Sequence, residues 1–211
     1  NKPAGVAVHG GSGISFGVIE ALRSQRQDLF YIELAHRLDK DTSGCLILAK
    51  KRATLIALHA LFTARQVEKR YLALLQGEWM GKKTREVTAP LCKQTLASGE
   101  RFVRIDEENG KPAKTRFRLL ASAPAYCLVS ATPYTGRTHQ IRVHSAYLGH
   151  AIVGDVKYQG EPSERLYLHA WSIQFTLKGK HYYFEAPVEA RFLDKLRQLG
   201  WEQALVSGHH L

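Results

Sequence analysis

The sequence predicts an α+β fold, a mostly antiparallel mixed sheet with flanking helices. Three observations carry this. Strand-like stretches dominate, above all in the middle of the chain. They follow one another across short Gly/Pro breaks. The helical stretches between them lack the regular alternation that a parallel sheet requires. No internal repeat or low-complexity linker divides the 211 residues, so one continuous domain over 1–211 is expected.

Taken in order, GVIEALRSQ (17–25) reads as a helix with Val18 and Leu22 pointing inward and Ile19 as a third candidate for that face. CLILAK (45–50) is a short apolar run, the pattern of a buried strand. KRATLIALHALFTARQ places Leu55, Leu58 and Phe62 at helical spacing, with Leu61 beside them. RYLALLQG (70–77) alternates as a strand and stops at Gly77. FVRID (102–106), KTRFRLLAS (114–122) and YCLVSATPY (126–134) are separated by NGKP and AP, which predicts an antiparallel meander. GRTHQIRVHSAYLG (136–149) reads as a helix with Thr138 as N-cap and Gly149 as its close. RLYLHAWSIQFTL and HYYFEAPV pair around an LKGK turn. EARFLDKLRQLG ends the pattern as an amphipathic helix with Phe192, Leu193, Leu196 and Leu199 inward.

The formal net charge is +11, from 30 Lys and Arg against 19 Asp and Glu. Such an excess favours a polyanionic partner and says nothing about fold. Cys45, Cys92 and Cys127 are odd in number and lack CxxC spacing, which fits buried free thiols in a reducing compartment. No apolar run approaches the roughly 18 residues that suggest a membrane span. No signal peptide is recognisable, so a cytoplasmic location is expected. The chain opens NKPAG, inside a motif, so the natural protein is expected to begin earlier. The final SGHHL reads as a frayed end, and His209 and His210 are set aside.

Two stretches carry candidate chemistry. HRLDKDTSG (36–44) holds two carboxylates two residues apart, each beside a cation. DTSG has Asp at the first and Gly at the fourth position of a type I turn, so Asp41 is accounted for by an Asx turn. Asp39 has no such local role. It stands between Arg37 and Lys40 before a buried run, where a carboxylate can be held rigidly and still reach a ligand. A surface salt bridge is its competing explanation. TGRTHQIRVH (135–144) gathers Arg137, His139, Arg142 and His144, with Arg137 at a helix N-terminus that also favours anions. His139 and His144 lie five apart, about 140° around a helix, and no Cys or carboxylate stands at ligand spacing, so no metal is expected.

HRLDKDTSG together with GRTHQIRVH resembles the paired signature of the pseudouridine synthase family that includes the ribosomal large subunit synthases A, C and D. KPAGVAVH (2–9) resembles its opening motif, EKRYLAL (68–74) its tyrosine motif, and RLYLHA (165–170) and EAPV (185–188) its closing strands. The motifs follow in the family's order over nearly the whole chain, and HGGSGISFGVIEALR (9–23) is most similar to the synthase C branch. There are two departures. GDVKYQG (154–160) carries one residue more than the usual GDxxYG, and the N-terminal S4-like RNA-binding module usual in the family is absent from this sequence.

The resemblance implies an isomerase acting on uridines, most of all in large-subunit ribosomal RNA, by base flipping and without any cofactor. It implies that Asp39 attacks or stabilises the sugar carbon, as carboxylates do in glycosidases. It brings Arg137 next to Asp39, where a permanently charged guanidinium would keep the carboxylate ionised and oriented. It makes Tyr71 the residue that stacks on the base and acts as, or positions, the base removing the C5 proton. It gives Arg37 the space left by the flipped nucleotide, or the RNA backbone. His139 and His144 read as structural or RNA-facing histidines, Arg142 is a candidate RNA contact, and Leu168 is a candidate RNA contact as an apolar wall of the uracil pocket, with core packing an equal alternative. Scattered cations, Lys82, Lys83, Arg85, Lys111, Lys114, Arg116 and Arg118, are candidate phosphate contacts. Ribosomal RNA is the expected partner, with no metal and no membrane, and the protein is expected to be a monomer. Two other readings remain at this level: a two-carboxylate glycosidic hydrolase, and a non-catalytic RNA-binding module.

Overall fold

Apolar periodicity becomes secondary structure close to where the sequence places it. In the computed structural model, residues 1–11, 16–95 and 101–208 are described, the last two of these and Arg101 by backbone only. Part of the HGGSGISF stretch (12–15), and His209 and His210, lie outside the described residues. The chain begins with α1 (Val18–Gln25), β1 (Glu33–Leu34), β2 (Ser43–Gly44), β3 (Leu48–Ala49) and α2 (Arg52–Thr63). β4 (Glu68–Gln76), β5 (Thr84–Thr88), β6 (Leu91–Thr95), β7 (Arg101–Ile105), β8 (Lys114–Ser122) and β9 (Tyr126–Pro133) follow. Then come α3 (Gln140–Tyr147), a 3-10 turn (Val156–Tyr158), β10 (Leu168–Leu177), β11 (Lys180–Glu185), α4 (Ala190–Gln198) and α5 (Gln203–Gly208). Among the described strand pairs, all are antiparallel except β2 with β10, so the α+β expectation holds.

These elements divide into two compact units, Asn1–Lys69 with His169–Glu189, and Arg70–Leu168 with Ala190–Leu211. The sequence reads as one continuous domain because no low-complexity linker marks any of the three points where the chain passes from one unit to the other. One lies inside β4, one a residue into β10, and the third at the start of α4.

In the first unit, β10 and β11 form a hairpin in register from Ser172–Glu185 to Leu177–Lys180. Its turn is Lys178–Gly179, with φ of 52° and 77°, the two left-handed residues a two-residue hairpin loop favours. Leu58 of α2 is buried, with Leu55, Leu61 and Phe62 packed on a core of Ala35, Cys45, Ala49, Val67, Ile173 and Phe175. In α1 the buried residue is Ile19, while Val18 and Leu22 are only half-buried, so the inward face is rotated from the expected one. The expected strand over 45–50 shrinks to Leu48–Ala49, paired with β1. The reason lies in the hydrogen bonds: the Cys45 N–H goes to the Ala170 carbonyl and the Ile47 N–H to His36 Nε2, so no single ladder forms. Nor is the run buried throughout: Cys45 and Ala49 are buried, while Leu46, Ile47 and Leu48 are half-buried.

In the second unit, β4, β9, β8 and β5 lie side by side, all antiparallel. Leu72, Leu74, Leu75, Phe117, Leu128 and Val129 are completely buried there. FVRID does not join this meander. As β7 it pairs with β6 in a separate two-stranded ladder, from Leu91–Ile105 to Thr95–Arg101. Helix α3 is shorter than expected and starts at Gln140, with His139 rather than Thr138 at the N-cap and in a left-handed conformation, φ 53°. Gly149 follows its end at φ 81°, as expected of a helix close. Phe192 and Leu196 of α4 are fully buried and Leu193 and Leu199 half-buried.

One glycine fixes how the 36–44 loop ends. Gly44 has φ 111°, and a Cβ there would sit 2.1 Å from the Ala170 carbonyl oxygen of the parallel partner strand. Gly44→Ala should therefore lower stability by about 3 kcal/mol, from strain and clash together, read as a drop in urea midpoint with an unchanged m-value.

Candidate active site

In the first unit the HRLDKDTSG loop is pinned at both ends. At its start, His36 Nε2 accepts the Ile47 N–H at 3.0 Å, and the Ala35 N–H meets the Ile47 carbonyl. At its end, Lys2 and Gly44 exchange two backbone bonds of 2.8 Å, and Ser43 donates its hydroxyl to His169 Nδ1 at 2.8 Å. His169 is completely buried and gives its other ring N–H to the Ala186 carbonyl. The Lys2 side chain runs inward, only 3% exposed, and its ammonium donates to the carbonyls of Pro3, Val6 and Lys40. Three acceptors satisfy a buried ammonium fully, and one of them is the carbonyl next to Asp39.

The turn inside this loop starts at Asp39. The Thr42 N–H bonds the Asp39 carbonyl at 3.2 Å, which makes Asp39 the first residue and Asp41 the third. The expected Asx turn at Asp41 is not formed. Asp41 is exposed, and among the described residues its carboxylate accepts no hydrogen bond. Asp39 is half-buried, Leu38 beneath it is buried, and Arg37 and Lys40 are exposed.

In the second unit Tyr71 is half-buried on β4 and stands opposite Ala131 of β9. Arg137 is half-buried, its Nε donating to the Pro112 carbonyl at 3.2 Å. The loop that presents it is organised by Gln140, which is only 4% exposed. Gln140 Oε1 accepts from the Thr135 hydroxyl at 2.6 Å and from the Arg137 N–H at 3.0 Å. Its Nε2 donates to the Lys114 carbonyl and to Thr115 Oγ1, both at 2.9 Å. Thr115 in turn bonds His144 Nδ1, and the His144 Nε2–H reaches the Ala89 carbonyl. Burial holds the His144 pKa below its ordinary value, as two such bonds to a neutral ring require.

Arg142 and His139 are turned inward. Arg142 makes a bidentate pair with Asp155 through Nε and Nη2, both at 2.7 Å, and its guanidinium lies 5.0 Å from the Tyr158 ring centre. Tyr158 accepts the Val103 N–H at 3.1 Å and donates to His139 Nδ1 at 2.6 Å. The His139 pKa is pushed down to about 4, by burial first and then by the Arg142 charge. The RNA contact expected of Arg142 is thus replaced by an internal ion pair, for which Arg is better suited than Lys. Leu168 is 3% exposed at the start of β10. Arg37 alone of the four suggested RNA contacts is openly exposed.

The sequence left Lys2, His169, Gln140, Asp155 and Tyr158 without roles. Lys2 lies in KPAGVAVH and the last two in GDVKYQG, so the motifs were visible while the partners were not. The extra residue of GDVKYQG is taken up after the 3-10 turn: Gln159 is left-handed, φ 67°, and the Tyr158 and Gly160 N–H groups both bond the Asp155 carbonyl. Among the described residues no group of three His, Cys, Asp or Glu could hold a metal ion, and no helix is long and apolar enough to cross a membrane.

A family described as RNA pseudouridylate synthase matches residues 1–147. The chain belongs to that family. It is 52% identical over 184 residues to the ribosomal large subunit pseudouridine synthase C of Pasteurella multocida (strain Pm70), covering 83% of this chain and 56% of that protein. It is 47% identical over 213 residues to the protein of the same name from Escherichia coli (strain K12), covering 93% of this chain and 66% of that protein. The chain therefore spans a little over half to two thirds of these relatives' length. Among solved structures it is similar to human RNA pseudouridylate synthase domain containing 1, with a TM-score of 0.76 and 26% identity over 94% of this chain and 88% of that one. In this pseudouridylate synthase family member the 36–44 loop and the Arg137 loop are each locked by side chains of their own unit.

Two expectations follow. Asp155→Ala should cost about 3–5 kcal/mol in chemical denaturation, because it strands a buried guanidinium, and Arg142→Met with Asp155→Leu should recover part of that loss. The His36 pKa is pushed down to about 4, by burial first and then by the Lys69 charge. A lowered folded pKa makes stability complete above the unfolded value of about 6.5. It is then lost as pH falls from there toward 4, because the unfolded chain binds the proton first. Urea midpoints measured from pH 7 to 4 should fall, and less steeply in His36→Gln.

Proposed function

We propose that this chain is the catalytic part of an RNA pseudouridine synthase that isomerises specific uridines in large-subunit ribosomal RNA. The family membership, and the names of relatives at 47–52% identity, support this reading. The observation that carries the site assignment is the 36–44 loop. It holds a half-buried carboxylate at the head of a turn, while its neighbour Asp41 is exposed and accepts no bond among the described residues.

In this reading a uridine is extruded from the RNA at a cost of a few kcal/mol. The N1–C1′ bond breaks with its electron pair going to the uracil, and Asp39 attacks or stabilises C1′. The uracil turns, C5 bonds to C1′, any bond to Asp39 is released, the C5 proton leaves to a base, and N1, now free of the sugar, takes up a proton. The product is an isomer of the substrate, and no cofactor is involved. Tyr71 stacks on the uracil, and it acts as or positions the base that takes the C5 proton. Arg137 supplies a permanent positive charge at the reacting centre, which suits a carboxylate that must stay ionised. Arg37, exposed two residues before Asp39, takes the place of the flipped nucleotide or holds the RNA backbone. Leu168 serves as an apolar wall.

Purified chain with unmodified large-subunit ribosomal RNA should form pseudouridine, detected by carbodiimide treatment and primer extension. Asp39→Asn should reduce turnover at least roughly 1,000-fold, the scale on which a covalent or charge-stabilising group acts, with RNA affinity within about threefold. Asp41→Asn should keep turnover within about threefold. Substantial turnover in Asp39→Asn would remove the assignment, and release of free uracil would point to a hydrolase.

A further inference from the structure

One face of the β5–β8 strand pair is open and basic. Along β8, Lys114, Arg116 and Arg118 alternate with the buried Thr115 and Phe117, so all three cations share one side. Neighbours on that side are the exposed Thr84, Glu86 and Thr88 of β5, in register with Arg118, Arg116 and Lys114. Among the described residues of this face only Glu86 opposes the charge, paired with Lys114 at 2.7 Å. Successive cations two residues apart lie roughly 7 Å from each other along a strand, a row suited to following an extended phosphate backbone.

At one end of this row stands Tyr134, just past β9, its backbone N–H bonded to the Lys114 carbonyl at 2.9 Å. Its side chain is 37% exposed, with Lys114 Nζ at 5.4 Å and the Arg116 guanidinium at 5.5 Å from the ring centre. An exposed ring would gain by burial in a core, yet this one is held at the surface by two cations. A base can stack on such a ring while the cations meet its phosphates, the combination that binds single-stranded nucleic acid without reading sequence. Neither Tyr134 nor this strand face has a role in the chemistry assigned above.

We propose that Tyr134, Lys114, Arg116 and Arg118 form an RNA-docking strip that stacks one unpaired base and tracks the adjoining phosphates of the substrate RNA. This rests on the partner being RNA, as proposed above, and not on the chain's catalytic step.

Fluorescence anisotropy with a labelled single-stranded oligouridylate and an unmodified ribosomal RNA fragment, over a series of KCl concentrations, tests it. Tyr134→Ala should weaken binding of both about tenfold with an unchanged salt slope, and Tyr134→Phe should bind as the parent does. Arg116→Gln with Arg118→Gln should lower the slope of log K against log salt by about 1.4, from roughly 0.7 for each phosphate no longer neutralised. In parallel turnover assays both variants should raise KM with kcat within about twofold. Parent-like affinity in Tyr134→Ala, a parent-like salt slope in the double variant, or a loss confined to kcat would each overturn the strip. Binding effects of the expected size from a chain that forms no pseudouridine would uphold the strip while removing the proposed activity.

Discussion

The close approach of Gly44 to the Ala170 carbonyl is the constraint on which the candidate active site depends. β2 is only two residues long, yet it runs parallel to β10, and only a residue without a Cβ can stand there. Once Gly44 is seated, Ser43 meets the buried ring of His169, and Lys2 closes its two backbone bonds. The Lys2 ammonium then has three carbonyls within reach, among them that of Lys40. A loop of charged residues would otherwise be free to move. Here its ends are buried, and the turn that carries Asp39 projects from a fixed frame. Such support is what lets a carboxylate act with little reorganisation.

The second unit reaches the same result with different chemistry. The Arg137 loop hangs on one side chain, Gln140, whose amide satisfies two donors and two acceptors at once. Beyond it stand two polar pairs in a largely buried setting, Arg142 with Asp155 and the Tyr158 hydroxyl with His139, joined by the Arg142 guanidinium over the Tyr158 ring. Buried polar groups of this kind cost free energy unless every bond is made, and among the described residues no buried side-chain polar atom lacks a partner. Histidines contribute as neutral rings: His36, His139 and His144 all have pKa values lowered chiefly by burial, so they serve as hydrogen-bonding fixtures rather than charges.

The net charge of +11 is therefore divided between two uses. Lys2 and Arg142 are buried and bonded to the protein's own oxygens, where they hold loops in place. Arg37, Arg116 and Arg118 stay exposed and remain available to a polyanion. A count of basic residues cannot distinguish these roles, because burial and not residue type decides whether a cation organises the fold or faces a partner.

By itself the sequence determined the α+β class, the bounds of β8 and the end of β4, the β10–β11 hairpin with its KG turn, and the two loops that matter, through motifs in register. These depend on local periodicity and on short-range turn chemistry, which neighbouring residues carry. Only the tertiary structure decided that the 45–50 run splits, that FVRID leaves the meander, and that the turn begins at Asp39 and not Asp41. It also decided the partners of Lys2, His169, Gln140 and Arg142. Several of these bonds join residues far apart in the chain, Ser43 to His169 across 126 positions and Lys2 to Lys40 across 38. No spacing rule reaches so far, because a hydrogen bond between distant residues is set by where the folded backbone brings them.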